Sequence, residues 1–298
     1  MRIFITGEKG FIGSSLTKKL KEAQHEWRGF DLQDGMDIRD RYALDVAIGG
    51  FRPDAVIHMA ARAGVTRSKN HPAEYISSNI LGTQNVVEMC NMHNVKRLIF
   101  FSSSSVFGPI KPIESIKPRS ENDIKNPVSL YGISKLAGEL ITNVANCETV
   151  IVRPFTVYGV NGRLDAVIYK WINQIKKGEP ITIYGDLDSY RGYVYVEDLV
   201  ETVIQLLSKA LLNKHEDFNI GGSEIIYLRM IVSIFESVLG EVKKEFITRP
   251  SEDIFGQVAD TSKAKEILLF DPKPKFMNNV TEIVKKELLL PSKKSLKF

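Results

Sequence analysis

The sequence predicts an α/β protein built on a doubly wound parallel sheet, with a smaller α/β lobe attached. Two observations carry that expectation. Over the first half of the chain, short β-branched runs alternate with longer stretches whose apolar residues recur at helical spacing. After Pro154 the rhythm becomes less regular, and shorter strands and helices mix. A chain of 298 residues with 43% hydrophobic content is long enough for one substantial core and a lobe beside it.

Residues 3–6, 27–30, 55–59, 97–101 and 149–152 read as the strands of the main sheet, being short, apolar and rich in β-branched or aromatic side chains. Residues 14–23, 72–93 and 130–145 read as the crossover helices, the second from Val86, Val87, Met89 and Cys90 following Ile80 and Leu81. The Pro-rich, polar stretch 109–127 interrupts the rhythm, and is either a loop over a substrate or a passive connection. Beyond it, a helix is expected near 166–176, strands at 181–184 and 193–196, and helices at 200–208 and 228–239. The expected division is 1–154 and 155–298, with a segment at about 193–222 returning to the main sheet.

Composition removes several function classes. Cys90 and Cys147 are the two cysteines, with no CxxC and no nearby histidine pair, so buried thiols are expected rather than disulfides or a metal site. Lys plus Arg (40) barely exceed Asp plus Glu (36), and so diffuse a net charge of +4 does not call for a nucleic-acid partner. The basic tail 293–298 reads as a solvated end. No apolar run approaches the ~20 residues that cross a bilayer, and no basic-then-apolar leader precedes the first strand. The expectation is a cytoplasmic protein without a membrane partner.

The first strand runs into Gly7-Glu8-Lys9-Gly10-Phe11-Ile12-Gly13, ahead of the first helix. In Gly7-x-x-Gly10-x-x-Gly13 the glycines permit a tight turn, close approach to a pyrophosphate and tight packing of helix on strand, and the helix start supplies free amides. Asp31 ends the second strand, about 20 residues on, where a ribose diol lies in such a fold. A carboxylate there repels a 2′-phosphate, which favours NAD over NADP. Asp37-Ile38 either presents a carboxylate and an apolar side chain to an adenine or forms an ordinary loop. Residues 1–154 are thus expected to be a Rossmann-type NAD-binding domain.

Tyr131 and Lys135 stand one helical turn apart, so an ammonium lies beside a phenol on one face. The positive charge of the lysine, and that of NAD⁺, would favour a phenolate able to accept a hydroxyl proton. Ser102-Ser103-Ser104-Ser105 follow the fourth strand, at the rim where open parallel sheets bind ligands. A hydroxyl there can steady a reacting oxygen.

These stretches resemble the extended short-chain dehydrogenase/reductase superfamily, and within it the NAD-dependent nucleotide-sugar epimerases and dehydratases. The likeness covers nearly the whole chain through His58-Met59-Ala60-Ala61, Asn79-Ile80-Leu81-Gly82-Thr83, Arg153-Pro154-Phe155-Thr156-Val157-Tyr158-Gly159, Arg191-Gly192-Tyr193-Val194-Tyr195-Val196-Glu197-Asp198, Phe218-Asn219-Ile220-Gly221 and Arg249-Pro250. It implies Tyr131 as base, Lys135 as its tuner and nicotinamide-ribose ligand, and Ser103 as the hydroxyl on the sugar oxygen. Met59, Ala60, Ala61, Ala63, Asn79, Ser102 and Phe155 would line the NAD site with Gly7, Gly10, Phe11, Ile12, Gly13, Asp31, Asp37 and Ile38. Ser104, Thr156, Arg191 and Arg249 would meet the substrate, the arginines clamping its diphosphate.

Family dehydratases carry an Asp-Glu pair in the two positions before Val106, and decarboxylases a Glu immediately before it, whereas this chain has Ser104 and Ser105. The resemblance therefore implies C4 epimerisation of a UDP-sugar through a transient 4-keto intermediate, by a homodimer joined through the 72–93 and 130–145 helices. A nucleotide-sugar dehydratase, a 4-keto reductase, and an NAD-sensing or RNA-binding protein on the same fold are the competing readings. The chain departs from the family pattern at Glu8 and Lys9 in the glycine turn, and at Thr156, Val160 and Gly192.

Overall fold

A parallel sheet organises the first half of the chain and takes one further strand from the second. The computed structural model describes residues 1–109 and 116–289. The middle of the 109–127 stretch and the basic tail 293–298 lie outside them.

The first half runs β1 (Arg2–Thr6), α1 (Phe11–Glu22), β2 (Glu26–Phe30), α2 (Arg41–Phe51), β3 (Ala55–His58), α3 (Val65–Asn70), α4 (Pro72–Tyr75), a π-helical stretch (Ile76–Leu81), α5 (Gly82–Met92), β4 (Arg97–Phe101), a 3-10 turn (Ser104–Val106), α6 (Leu130–Thr142) and β5 (Glu148–Pro154). The second half runs β6 (Thr156–Tyr158), α7 (Val167–Lys176), β7 (Ile181–Tyr184), β8 (Tyr190–Tyr195), α8 (Val196–Ser208), β9 (His215–Ile220), β10 (Ile225–Tyr227), α9 (Leu228–Leu239), β11 (Lys244–Ile247), β12 (Gly256–Gln257), α10 (Ser262–Leu268) and α11 (Phe276–Leu288).

The main sheet has six strands in the order β2-β1-β3-β4-β5-β9, all parallel. Every residue of β3 and β4 is buried, as a strand covered on both faces requires, while edge strand β2 is largely exposed. On one face Leu16 and Leu20 of α1 and Leu199, Val203 and Leu206 of α8 close over Ile3, Ile57 and Val150. On the other, Leu44 and Ile48 of α2 and Val86, Val87 and Met89 of α5 cover Phe4, Val56 and Leu98. Each such side chain contributes ~1.5–3 kcal/mol by leaving water.

Three local outcomes differ from the sequence reading. Helix α2 is not among the expected elements; Leu44, Ile48 and Phe51 form a buried stripe that runs past Gly49-Gly50, and Asp40 caps the helix by accepting the Ala43 amide. The expected 72–93 helix divides into α4, the π-helical stretch and α5. Of residues 193–222, β9 joins the main sheet beside β5 and α8 packs on α1, but β8 stands in a separate sheet with β10, β12 and β6. A second core gathers Trp171 of α7, Tyr193 of β8, Phe235 of α9 and Phe276 of α11.

Helix α6 packs directly on the Phe100 side chain of β4. A Cβ at Gly138 would stand 2.5 Å from the Phe100 ring, so glycine there permits the approach. Among the described residues no helix is long and apolar enough to cross a membrane, and no group of three His, Cys, Asp or Glu side chains could hold a metal ion.

One buried polar group makes the sheet sensitive to acid. His58, 1% exposed at the end of β3, has its ring nitrogens 2.7 Å from the Thr6 hydroxyl and 3.0 Å from that of Thr83. Burial, with the Lys135 charge second, pushes its pKa down to about 3. In the unfolded chain a histidine titrates near ~6.5, so between those values the unfolded state binds a proton that the folded state refuses. Stability should therefore fall as pH drops from about 6.5 towards 3. Thermal melts between pH 7 and 5 should show this decline, and His58→Asn should flatten it; an unchanged slope in the variant would rule the assignment out.

Candidate active site

The C-terminal ends of the parallel strands form one rim, and the residues singled out above collect along it. At β1 the chain turns through Gly7, whose φ of 79° is left-handed, and whose missing Cβ would stand 2.7 Å from the Ala60 amide nitrogen. A Cβ at Gly13 would meet the Gly7 carbonyl at 2.4 Å. Gly10 caps α1 without a side-chain hydrogen bond, and the first turn holds no acidic residue, so the amides after Gly10 stay available to an anion. Phe11 and Ile12 are half-buried there.

Asp31 is buried at the end of β2, one oxygen accepting the Gln33 amide (2.8 Å) and the other the Lys9 amide (3.0 Å). Each oxygen keeps a lone pair for a diol. This donor and acceptor set fits a dinucleotide. Glu8 turns away from the helix start: its carboxylate accepts the Phe30 amide at 2.9 Å and fills the space over Gly29, where a Cβ would stand 2.3 Å from it. Burial raises the Glu8 carboxyl above its ordinary range. The Lys9 ammonium pairs with Asp34. Asp37 is engaged by Arg39, which holds its carboxyl low, and Ile38 is buried against Gly82.

The loop after β3 carries Met59, Ala60, Ala61 and Ala63, all half-buried. Asn79, in the π-helical stretch, grips this loop through the Arg62 amide (2.7 Å) and carbonyl (2.9 Å), and donates to the Ser134 hydroxyl of α6. Tyr75 donates to the carbonyls of Ala63 and Gly64, and sets its ring edge-on to Tyr131 at 6.2 Å.

Ser129 caps α6 by accepting the Gly132 amide, which starts the helix one residue before Tyr131. Lys135 is 4% exposed and donates to the Phe101 carbonyl at 2.7 Å. Burial lowers it to about 7, against the opposing pull of Glu139. Burial raises the Tyr131 phenol, while Arg163 and the nearby Ser103 hydroxyl lower it and Asp165 opposes them. Arg163, from the loop before α7, is thus a further cation that favours the phenolate, in addition to the lysine that the helical spacing places one turn on. Arg163 is itself paired with Asp165 (Nε to Oδ1, 2.9 Å). Nothing local in Val160-Asn161-Gly162-Arg163 marks it; the fold brings it to Tyr131.

Ser103 accepts the Ser105 amide at 3.1 Å, opening the 3-10 turn. Ser104 is buried, and its carbonyl accepts the Gln257 side-chain amide at 2.8 Å. Ser102 donates its hydroxyl to Glu139, inside the protein. Phe155 is buried with its ring 6.3 Å from that of Phe107, and Thr156 is half-buried at the start of β6. Arg191 and Arg249 come together: Nη2 of Arg191 lies 3.4 Å from one oxygen of Asp253, and Nη1 of Arg249 donates to the other at 2.9 Å. Arg191 also donates to the carbonyls of Tyr190 and Phe255, and Arg249 stacks over the Phe255 ring at 5.2 Å.

Residues 3–221 match the sequence model of the NAD dependent epimerase/dehydratase family. The chain is 34% identical to a UDP-glucuronate 4-epimerase of Thermodesulfobacterium geofontis (strain OPF15), over 80% of this chain and 73% of that protein. It is 32% identical to an uncharacterized UDP-glucose epimerase of Bacillus subtilis (strain 168), over 94% and 96%. Among solved structures, UDP-glucuronic acid 4-epimerase from Bacillus cereus, in complex with UDP-glucuronic acid and NAD, superposes with a TM-score of 0.86 at 28% identity, covering 96% of this chain and 99% of that one. The UDP-glucose 4-epimerase of Thermus thermophilus in complex with NAD gives 0.87 at 26% identity, over 96% and 99%. With the glycine turn, the rim serines and the Tyr131 helix on one edge of the sheet, the chain belongs to the NAD dependent epimerase/dehydratase family.

Proposed function

We propose that this chain epimerises a UDP-sugar at C4, with NAD as its cofactor. The observation that carries the reading is the meeting of Tyr131 and Ser103 on the sheet rim beside the glycine turn, where Ser104 and Ser105 place no carboxylate next to Val106. Relatives named as UDP-glucuronate 4-epimerases, and structural neighbours bound to NAD and a UDP-sugar, support it.

NAD would be held by the amides after Gly10, the Asp31 carboxylate and the Asn79-braced loop, and when bound it supplies a reversible hydride acceptor and a positive charge near the phenol. Tyr131 takes the proton of the sugar's 4-hydroxyl, and Ser103 steadies the same oxygen. Lys135, buried beside them, orients the ribose and adds its charge when protonated. The 4-keto sugar turns about its diphosphate, held by Arg191 and Arg249, and presents its opposite face for reduction. Tyr131 then returns the proton, so no redox equivalent is consumed overall.

Incubating the purified protein separately with UDP-galactose, UDP-N-acetylgalactosamine and UDP-glucuronate, without added reductant, should convert at least one to its 4-epimer at unchanged mass. Loss of water, loss of carbon dioxide or a requirement for NADPH would transfer the protein to a sister reaction. Tyr131→Phe should lower kcat by roughly 10²–10⁴-fold while the protein retains NAD, checked by turnover and by the cofactor released on denaturation. Retained activity would remove Tyr131 from the proton step.

We also propose a homodimer. Ile133 (47% exposed), Leu140 (62%) and Val144 (65%) line the outer side of the α6 segment, beside exposed Ile76 and Leu81. These side chains form an apolar stripe on the two crossovers, which suits a two-fold interface between identical helices. Light scattering should give a mass twice that of the chain, and Leu140→Glu should halve it; a monomeric parent would refute the stripe as an interface.

A further inference from the structure

Behind Lys135 runs a line of charges of alternating sign, buried at its inner end and half-buried at its outer end. Glu139 follows Lys135 by one helical turn on α6 and is 3% exposed. Arg153, on β5 and 1% exposed, grips it with both arms of its guanidinium: Nε donates to Oε1 at 2.7 Å and Nη2 to Oε2 at 2.8 Å. Ser102, at the end of β4, donates to the same Oε1. Arg153 reaches onward, its Nη1 2.7 Å from Asp217 on β9, and Lys263 of α10 closes the line against Asp217 (3.3 Å) and Glu216 (2.8 Å).

The groups facing Lys135 are few. From its own helix come Tyr131 and Glu139. From β4 come the Phe101 carbonyl, which accepts its proton, and the Phe100 ring, 5.1 Å from Nζ. From β3 comes His58, which burial keeps neutral. Glu139 is the acid whose charge acts on Lys135. A buried ammonium with no anion near it gives up its proton readily, and a carboxylate free to rotate away would be a poor remedy. The fork of Arg153 and the Ser102 hydroxyl remove that freedom.

We propose that Glu139 is a positioning residue for the reaction: locked by Arg153 and Ser102, its carboxylate holds Lys135 in the ammonium form beside Tyr131. This rests on the reading of Tyr131 and Lys135 given above. It also assigns a purpose to burying an Arg–Glu pair, which by itself contributes little to stability and often less than apolar side chains of the same volume.

The test is the titration of Lys135 in the whole protein, followed by NMR of ¹³Cε-labelled lysine and identified by its absence in Lys135→Met. In Glu139→Gln the midpoint should fall by about one pH unit or more relative to the parent, the size of effect a nearby opposite charge exerts. The alkaline limb of kcat/KM should move to lower pH by the same amount, because the ammonium is lost earlier. Asp217→Asn disturbs the same line of charges without touching Glu139, and should leave the midpoint in place. If Glu139→Gln alone does not fold, Glu139→Gln with Arg153→Gln removes both buried charges together and should still lower the midpoint. An unchanged midpoint in the variants carrying Glu139→Gln, or an equal shift in Asp217→Asn, would overturn the proposal. If the parent turns over no UDP-sugar, the functional reading falls, and the NMR titration still decides the role of Glu139.

Discussion

The close approach of α6 to β4 governs the candidate site. With glycine at 138, the Phe100 ring can sit directly beneath the helix, and the helix then presents Tyr131, Lys135 and Glu139 in successive turns to the end of the neighbouring strand. Lys135 finds the Phe101 carbonyl, Glu139 finds Ser102, and Tyr131 reaches Ser103. Three consecutive residues of the strand end therefore meet three consecutive turns of the helix. A side chain at 138 would lift the helix and lengthen all three contacts together.

Much of this was legible in the sequence, because its signals are local. Gly7-x-x-Gly10-x-x-Gly13 is a statement about backbone torsion and close packing, and Tyr131-x-x-x-Lys135 about one helical turn; neither needs the rest of the fold to be read. The inner strands β1, β3 and β4 were legible for the same reason, since each carries a continuous apolar run. What escaped was made by topology. Helix α2 carries its stripe past two glycines, and β8, within the segment expected to return to the main sheet, pairs instead with β6, β10 and β12. Arg163, Glu139 and Gln257 carry no motif of their own as functional residues. They matter because burial strengthens charge, and burial is a property of the fold.

Charge adds to what spacing alone describes. An (i, i+4) ammonium lowers a neighbouring phenol only while it holds its proton, and Lys135 is buried, so the charges packed around it matter as well as its distance along the helix. The glycine turn holds another buried carboxylate. Glu8 stands where a carboxylate would face phosphates, yet it accepts the Phe30 amide over Gly29, so the departure is absorbed by a glycine on the neighbouring strand.

Gln257 has a mechanical consequence. It belongs to β12, whose two residues pair with Tyr190 and Arg191 of β8, and its side chain holds the Ser104 carbonyl. One buried hydrogen bond thus ties the strand bearing Arg191 to the turn bearing the rim serines. Swinging the smaller lobe outward would strand a buried amide, at a cost of ~1–3 kcal/mol. Under the function proposed above, the arginine that holds the diphosphate and the hydroxyls at the reacting end of the sugar are thereby referenced to a common frame, and the distance between them would act as a ruler for substrate length.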